Sequence, residues 1–66
     1  MNILIKFDSK TEDIELPSGA TVLDAYKKLN LSTEVYLAKR GNDIILETEG
    51  LNNKDVLEFI KVISGG

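Results

Sequence analysis

One segment of the sequence spaces its apolar residues as a helix does, and the rest of the chain shows no second segment of this kind. The apolar stripe consists of Val22, Ala25, Tyr26 and Leu29, at positions i, i+3, i+4 and i+7. This spacing predicts a helix that buries one face and exposes the other. Thr21 stands three residues before Asp24, which is the spacing of a capping box, so we expect the helix to begin there and to end near Asn30.

Before the helix, apolar residues alternate with polar ones, which predicts strands with one buried face. The first strand covers Asn2–Phe7. Turn-forming residues follow it at positions 8–10, and Ile14 and Leu16 then alternate with acidic neighbours. The two runs therefore predict a β-hairpin.

After the helix, three more segments read as strands. We expect a third strand over residues 35–39, a turn over 40–43 and a short fourth strand over 44–46. The last segment, 56–63, is apolar on both faces except for two charged residues. Such a run is typical of a central strand, or of a strand whose outer face meets a partner.

The order of these elements determines the fold class that we expect. A single helix must cover one face of a mixed sheet. Because crossover connections are right-handed, the strands after the helix return to the same sheet, and the long last strand can lie between the hairpin and the others. The sequence therefore predicts an α+β protein with the ubiquitin-like β-grasp fold, a mixed sheet of four to five strands with one helix packed on one face. We expect this domain to cover residues 1–63 and a flexible tail to cover 64–66.

Composition excludes most catalytic chemistry. The 66 residues include no cysteine and no histidine, so disulfides, zinc ligation, thiol nucleophiles and imidazole bases are absent. We expect no catalytic and no metal-ligating residue. Eight basic against eleven acidic residues give a net charge of −3, which opposes binding to nucleic acid or to an anionic membrane. The basic pairs at 27–28 and 39–40 are interpreted as solvated faces.

The first residues do not form a targeting signal. No basic segment precedes the apolar run of the first strand, and the run is too short for a signal peptide or a membrane span. We therefore expect a cytoplasmic protein.

The chain ends in Ser64, Gly65 and Gly66, directly after the last predicted strand. Two residues without a β-carbon predict a narrow, mobile thread that ends in a carboxylate. By itself this ending is compatible both with simple fraying and with a functional tail.

Together with the predicted fold, these residues resemble the ThiS/MoaD family of ubiquitin-like sulfur-carrier proteins. Residues 15–22, 55–59 and 62–66 carry the resemblance, and the length and ending look closer to the thiamine-biosynthesis type than to the molybdopterin type. The sequence departs from the family pattern at the turns over 39–43 and 53–55.

The resemblance implies that the chain is a co-substrate and not an enzyme. In that family a ubiquitin-activating-type adenylyltransferase uses ATP and magnesium to adenylate the terminal glycine, here Gly66, which then becomes a thiocarboxylate. The carrier itself binds no cofactor. A cysteine desulfurase or a sulfide source supplies the sulfur, and a synthase accepts it for thiamine, molybdopterin or tRNA thiolation.

The resemblance also implies a docking surface beside the tail formed by Ser64 and Gly65. Alternation along the last strand places Leu57 and Phe59 in the core, which leaves Ile60 and Val62 on the other face. We assign docking on the activating enzyme to these two residues. The alternative is that a neighbouring strand or loop buries them.

Two other functions remain open at this point. The chain is a ubiquitin-like modifier if Gly66 forms an isopeptide bond with lysines of other proteins. It is a plain interaction module if its terminal glycines have no role.

Overall fold

The computed structural model describes residues 1–62, and these residues form one mixed sheet with one helix. The elements in chain order are β1 (Asn2–Phe7), β2 (Lys10–Glu15), α1 (Val22–Leu29), β3 (Tyr36–Arg40), β4 (Asp43–Ile45) and β5 (Val56–Lys61). The predicted α+β architecture is confirmed. Compared with the predictions, β3 begins and ends one residue later and β4 begins and ends one residue earlier.

The position of β5 explains its apolar composition. The strand order in the sheet is β2-β1-β5-β3-β4, so β5 is the central strand, as predicted. It runs parallel to β1 and antiparallel to β3. The strand ends at Lys61, and the Val62 N–H then donates to the Val35 carbonyl at 2.6 Å. Ile63 and the predicted tail over 64–66 lie outside the described residues, so the boundary between domain and tail stays a prediction.

The β1–β2 hairpin turns through only two residues. Asp8 and Ser9 both have positive φ, 49° and 61°, and Phe7 pairs with Lys10. Two successive left-handed residues are the geometry of a type I′ turn, which follows the twist of the strands it joins. The Lys10 ammonium also lies 5.7 Å from the centre of the Phe7 ring, which adds a cation–π contact at the turn.

Both ends of α1 are capped, and the sequence predicted the capping box at the N-terminus and the end near Asn30. At the N-terminus, the Asp24 carboxylate accepts the Thr21 backbone N–H at 2.8 Å. Asn30 follows the helix in the left-handed region with φ 58°, a position that asparagine tolerates better than most residues. The backbone N–H groups of Val22 and Leu23 donate at 2.9 Å to the carbonyls of residues 49 and 47. The loop after β4 thus accepts hydrogen bonds from backbone N–H groups in the first turn of the helix.

The core lies between α1 and the inner face of the sheet. Ile3, Ile5, Leu57 and Val22 are its largest fully buried side chains. The Tyr26 ring stacks on the Phe59 ring with 4.6 Å between centroids, and the Tyr26 hydroxyl donates to the Tyr36 carbonyl at 2.8 Å. Leu57 and Phe59 are therefore core residues, as predicted, and Tyr26 joins the helix to β5 and β3.

Arg40 corrects one prediction, because it is half-buried in an ion-pair network and does not belong to a solvated face. Its guanidinium donates to the Gly50 carbonyl and to Asp55 Oδ2, both at 2.9 Å. Glu49 Oε2 lies 3.5 Å from the same group. Asp55 Oδ2 also accepts the Asn52 backbone N–H at 2.8 Å. Arg40 therefore holds the loop between β4 and β5 against the sheet.

None of the helices in residues 1–62 combines the length and the apolar composition needed to cross a bilayer.

Candidate functional site

The candidate docking surface lies on the face of the sheet that α1 does not cover. Along β5, Leu57 and Phe59 point to the helix, and Val56, Glu58 and Ile60 point away from it. Ile60 is 36% exposed, so no neighbouring strand or loop buries it fully. Val62 is half-buried. The alternative that neighbours bury both side chains therefore does not apply to Ile60.

Leu37 completes the exposed apolar surface beside Ile60. The two residues are direct partners in the β3–β5 register, and Leu37 is 41% exposed. On an antiparallel pair, directly opposite side chains are near neighbours on the same face. We call them the Leu37–Ile60 pair. Sequence reasoning missed Leu37, because residues 35–38 are all apolar and the pairing with Ile60 depends on the β3–β5 register.

A charged row separates this pair from a second exposed apolar residue on the same face. Glu58 lies opposite Lys6 on β1 and opposite Lys39 on β3. Beyond the row, Val56 is 45% exposed and lies opposite Leu4. The open face therefore has apolar surface at both ends of β5, and only the Leu37–Ile60 pair lies at the end from which the chain continues toward Gly66.

The same end of the sheet carries a tyrosine hydrogen bond. The Tyr36 hydroxyl donates to Asp8 Oδ2 at 2.9 Å. This bond raises the pKa of Tyr36, with burial and the Asp8 charge adding to the effect. Burial raises the pKa of Tyr26 as well, and the Glu47 charge contributes to that shift. Both tyrosines are structural, as the sequence predicted, since each hydroxyl joins two elements.

The described residues hold no set of side chains suited to metal binding. The metal-ligating side chains available among residues 1–62 are carboxylates. No three of them lie close enough together to form a metal site. The residues assigned to the chemistry, Ser64, Gly65 and Gly66, lie outside the described part of the chain.

Comparison with known proteins gives the family. The model of the ThiS family matches residues 2–66, which is nearly the whole chain and includes both terminal glycines. The chain belongs to the ThiS family. This confirms the resemblance drawn from the pre-helix segment, the last strand and the ending. ThiS-family chains are ubiquitin-like carrier proteins and not enzymes.

A solved structure shows the same fold. The chain is similar to SAMP1 from Haloferax volcanii, with a TM-score of 0.79 and 21% sequence identity over 100% of both chains. At this identity the similarity is one of fold. The five-stranded sheet with one helix is therefore the β-grasp fold, as predicted.

Proposed function

We propose that this ThiS-family chain is a sulfur carrier whose C-terminal carboxylate, on Gly66, is activated by an ATP-dependent enzyme and converted to a thiocarboxylate. The observation that carries the proposal is that the family match extends through the last residue. A central, well-anchored strand leads directly into that ending.

The chemistry requires no catalytic side chain on the carrier. The Gly66 carboxylate oxygen attacks the α-phosphorus of ATP, with magnesium held by the partner enzyme, and pyrophosphate leaves. Sulfide then attacks the acyl carbon, and AMP leaves with the bonding electron pair. Where the donor is the persulfide of a cysteine desulfurase, its terminal sulfur attacks instead, and a thiol reductant then cleaves the acyl disulfide that forms. The product is a thiocarboxylate, which a sulfur-accepting synthase consumes. The carrier contributes the carboxylate and positions it at the ATP bound by the activating enzyme.

Glycine at both final positions suits this delivery. Without a β-carbon, Gly65 and Gly66 can pass through a narrow channel, and the acyl carbon stays open to the incoming sulfur. A side chain at either position would obstruct the channel and the attack.

The Leu37–Ile60 pair supplies the docking surface in this proposal, together with Val62. Its exposed apolar area gives the activating enzyme a surface to bury, and its place at the end of β5 lies next to the residues that enter the active site. The charged row at Glu58 limits the apolar contact to this end.

The test combines two measurements on the intact protein. With the activating enzyme of the same cells, the wild-type chain is expected to support ATP–pyrophosphate exchange. With a sulfide source, its intact mass is expected to increase by the difference between one sulfur and one oxygen. Gly66→Trp should abolish both, whereas Ser18→Trp, which adds the same side chain at an exposed loop position, should leave both intact. Unchanged exchange with Gly66→Trp would contradict the proposal.

A second experiment, peptide mapping of the C-terminus, separates the other functions. Peptide mapping of the protein from its own cells would identify Gly66 joined to lysines of other proteins if the chain is a modifier. A free carboxylate alone, after incubation with lysate, ATP and a sulfur donor, would indicate an interaction module. The acceptor pathway, for thiamine, molybdopterin or tRNA thiolation, follows from which synthase removes the sulfur.

A further inference from the structure

The two edges of the sheet differ strongly in chemistry. The sheet order leaves β2 and β4 at the edges. Four of the six residues of β2 are charged, which is how proteins protect an edge from pairing with another strand. At the other edge, Ile44 is 57% exposed and Leu46 is 73% exposed, more than any other large apolar side chain described. The β4 edge therefore lacks the row of charged side chains that the β2 edge has.

The backbone of β4 is also available for pairing. The turn before β4 holds only Gly41 and Asn42, and Arg40 pairs with Asp43. In a two-residue hairpin, that closing pair exchanges both hydrogen bonds, and the next residue along, Ile44, directs its N–H and C=O away from β3. Within residues 1–62, no backbone hydrogen bond from outside the β3–β4 ladder reaches either group. Both groups can thus bond to a further strand.

A groove runs beside this edge on the helix side of the sheet. Its volume is about 410 Å³, enough for the side chains of one short extended segment. We call it the β4 groove. Its lining includes Tyr26, Thr33, Tyr36, Ile45, Leu46 and Glu47.

The wall of the β4 groove is fixed in place. The Glu47 carbonyl accepts the Leu23 N–H at 2.9 Å, so the loop after β4 is tied to the start of α1. The Glu49 carbonyl accepts the Val22 N–H at the same distance. A partner would meet a preformed groove and would pay little ordering entropy on the protein side.

The charges at the edge select the kind of partner. Asp43 lies exposed at one end of β4, and Glu47 lies exposed just beyond the other end. Neither forms an ion pair among the described residues, whereas Glu49 and Asp55 are both paired with Arg40. A second copy of this chain, with net charge −3, would place the same two carboxylates near each other across the edge. A basic strand would instead find two opposite charges.

We propose that the β4 edge is a binding site for an extended peptide segment of another protein, which adds a strand beside Ile44, places apolar side chains beside Ile44 on the open face and places lysine or arginine beside Asp43 and Glu47 on the helix side, at the β4 groove. This mode of recognition uses main-chain hydrogen bonds for affinity and alternate side chains for specificity. The proposal does not rest on sulfur transfer, although Leu37 of the Leu37–Ile60 pair also lines the β4 groove.

The test uses a capped synthetic heptapeptide in which lysine alternates with valine. Its titration into the ¹⁵N-labelled protein is expected to shift the amide resonances of Ile44, Ile45 and Leu46. Ile44→Lys should weaken binding at least about tenfold, because a lysine on an edge strand blocks pairing. Leu46→Lys provides a second variant at a more exposed position. Thr11→Lys, which adds the same charge on the β2 edge, is the matched control and should bind as the wild type does.

Two further peptides separate strand addition from charge attraction. A version with N-methyl groups on alternate amides keeps the charge but loses the donors, and it should bind at least about tenfold more weakly. A version with glutamate in place of lysine should not bind. Equal binding of the N-methylated peptide, shifts that map to β2, no shifts at all, or equal effects of Ile44→Lys and Thr11→Lys would each overturn the proposal. Shifts at Ile44 that depend on protein concentration without peptide would identify a second copy as the occupant and would also overturn it.

A Gly66→Trp chain should bind the heptapeptide with unchanged affinity. Failure of the sulfur-carrier function would therefore leave this result intact, and ATP–pyrophosphate exchange with Ile44→Lys would show separately whether a chain that has lost peptide binding is still activated.

Discussion

The Tyr36 hydroxyl and the Asp8 carboxylate form a hydrogen bond of 2.9 Å that joins β3 to the β1–β2 turn across the end of β5. The two residues are 28 positions apart in the chain. β1 pairs with β5 only as far as Glu58, so the last residues of β5 have a strand partner on the β3 side alone. The bond connects the two sides of the sheet beyond that point.

This hydrogen bond predicts a loss of stability at alkaline pH. The pKa of Tyr36 is raised from 10.0 in the folded protein by the bond to Asp8, so the unfolded chain releases the tyrosine proton first as the pH rises. The stabilisation is therefore fully present below about pH 10 and is lost as the pH rises through the folded pKa. Urea denaturation at pH 8 and pH 11 should show a smaller loss of unfolding free energy for Tyr36→Phe than for the wild type. All other residues are common to both proteins, and equal losses would contradict the prediction.

The Leu37–Ile60 pair predicts a docking defect without a folding defect. Ile60→Asp or Leu37→Asp should raise the KM of the activating enzyme for the carrier at least about tenfold, because a charge replaces buried apolar contact in the complex. The free energy of unfolding should fall by less than about 1 kcal/mol, since both side chains are substantially exposed. ATP–pyrophosphate exchange measures the KM, and urea denaturation measures the free energy of unfolding.

Val56→Asp is the matched control for this prediction. Val56 is on the same face of β5 and 45% exposed, but it lies beyond the charged row. Its KM should equal that of the wild type. A large loss of stability for Ile60→Asp would instead show that Ile60 is a core residue, and an equal KM increase for Val56→Asp would show a general charge effect.

Arg40 predicts a structural cost when its side chain is removed. Arg40→Ala breaks the hydrogen bonds to the Gly50 carbonyl and to Asp55, and we expect it to lower the free energy of unfolding by about 1–2 kcal/mol, because the network is partly exposed to solvent. Lys28→Ala, at an exposed helix position, should change it by less than about 0.5 kcal/mol. Urea denaturation of both variants tests the prediction. Equal losses of unfolding free energy would contradict a stabilising role of the Arg40 network.

The β1–β2 turn predicts a stabilising substitution. Ser9 has φ 61°, a region where most side chains are strained and glycine is not. Ser9→Gly should therefore raise the free energy of unfolding by about 0.5–1 kcal/mol, because the strain outweighs the extra entropy of the unfolded chain. Ser18→Gly, at a position without positive φ, should be neutral or destabilising. A loss of stability with Ser9→Gly would mean that the serine side chain has a role at the turn.

The strands and the helix could be predicted because they depend on local periodicity. Alternation in Asn2–Phe7 gave β1 with its observed bounds, and the i, i+3, i+4, i+7 stripe gave α1. The prediction for β3 and β4 missed by one residue because a four-residue turn was expected where two residues, Gly41 and Asn42, complete the reversal. The length of a tight turn depends on strand register, and local periodicity does not contain that register.

Contacts between residues far apart in the chain could not be predicted from the sequence. The partners of Arg40 lie 10 and 15 positions away on an irregular loop, and nothing in a basic pair indicates which carboxylate folds onto it. The burial of Leu57 and Phe59 and the exposure of Ile60 followed from alternation, whereas the neighbour of Ile60 depended on the β3–β5 register. The tail residues Ser64, Gly65 and Gly66 stay a prediction from the family pattern.

The central position of β5 determines how the protein responds to force on its C-terminus. A partner that pulls the chain beyond Val62 loads β5 along its own axis. Because the strand lies between β1 and β3 and the inter-strand hydrogen bonds run across the strand direction, the bonds of both ladders share the load in shear. A terminal strand at the edge of the sheet would have only one neighbour to resist the same force. In the proposed function, an enzyme could therefore draw the end of the chain into its channel without unfolding the sheet.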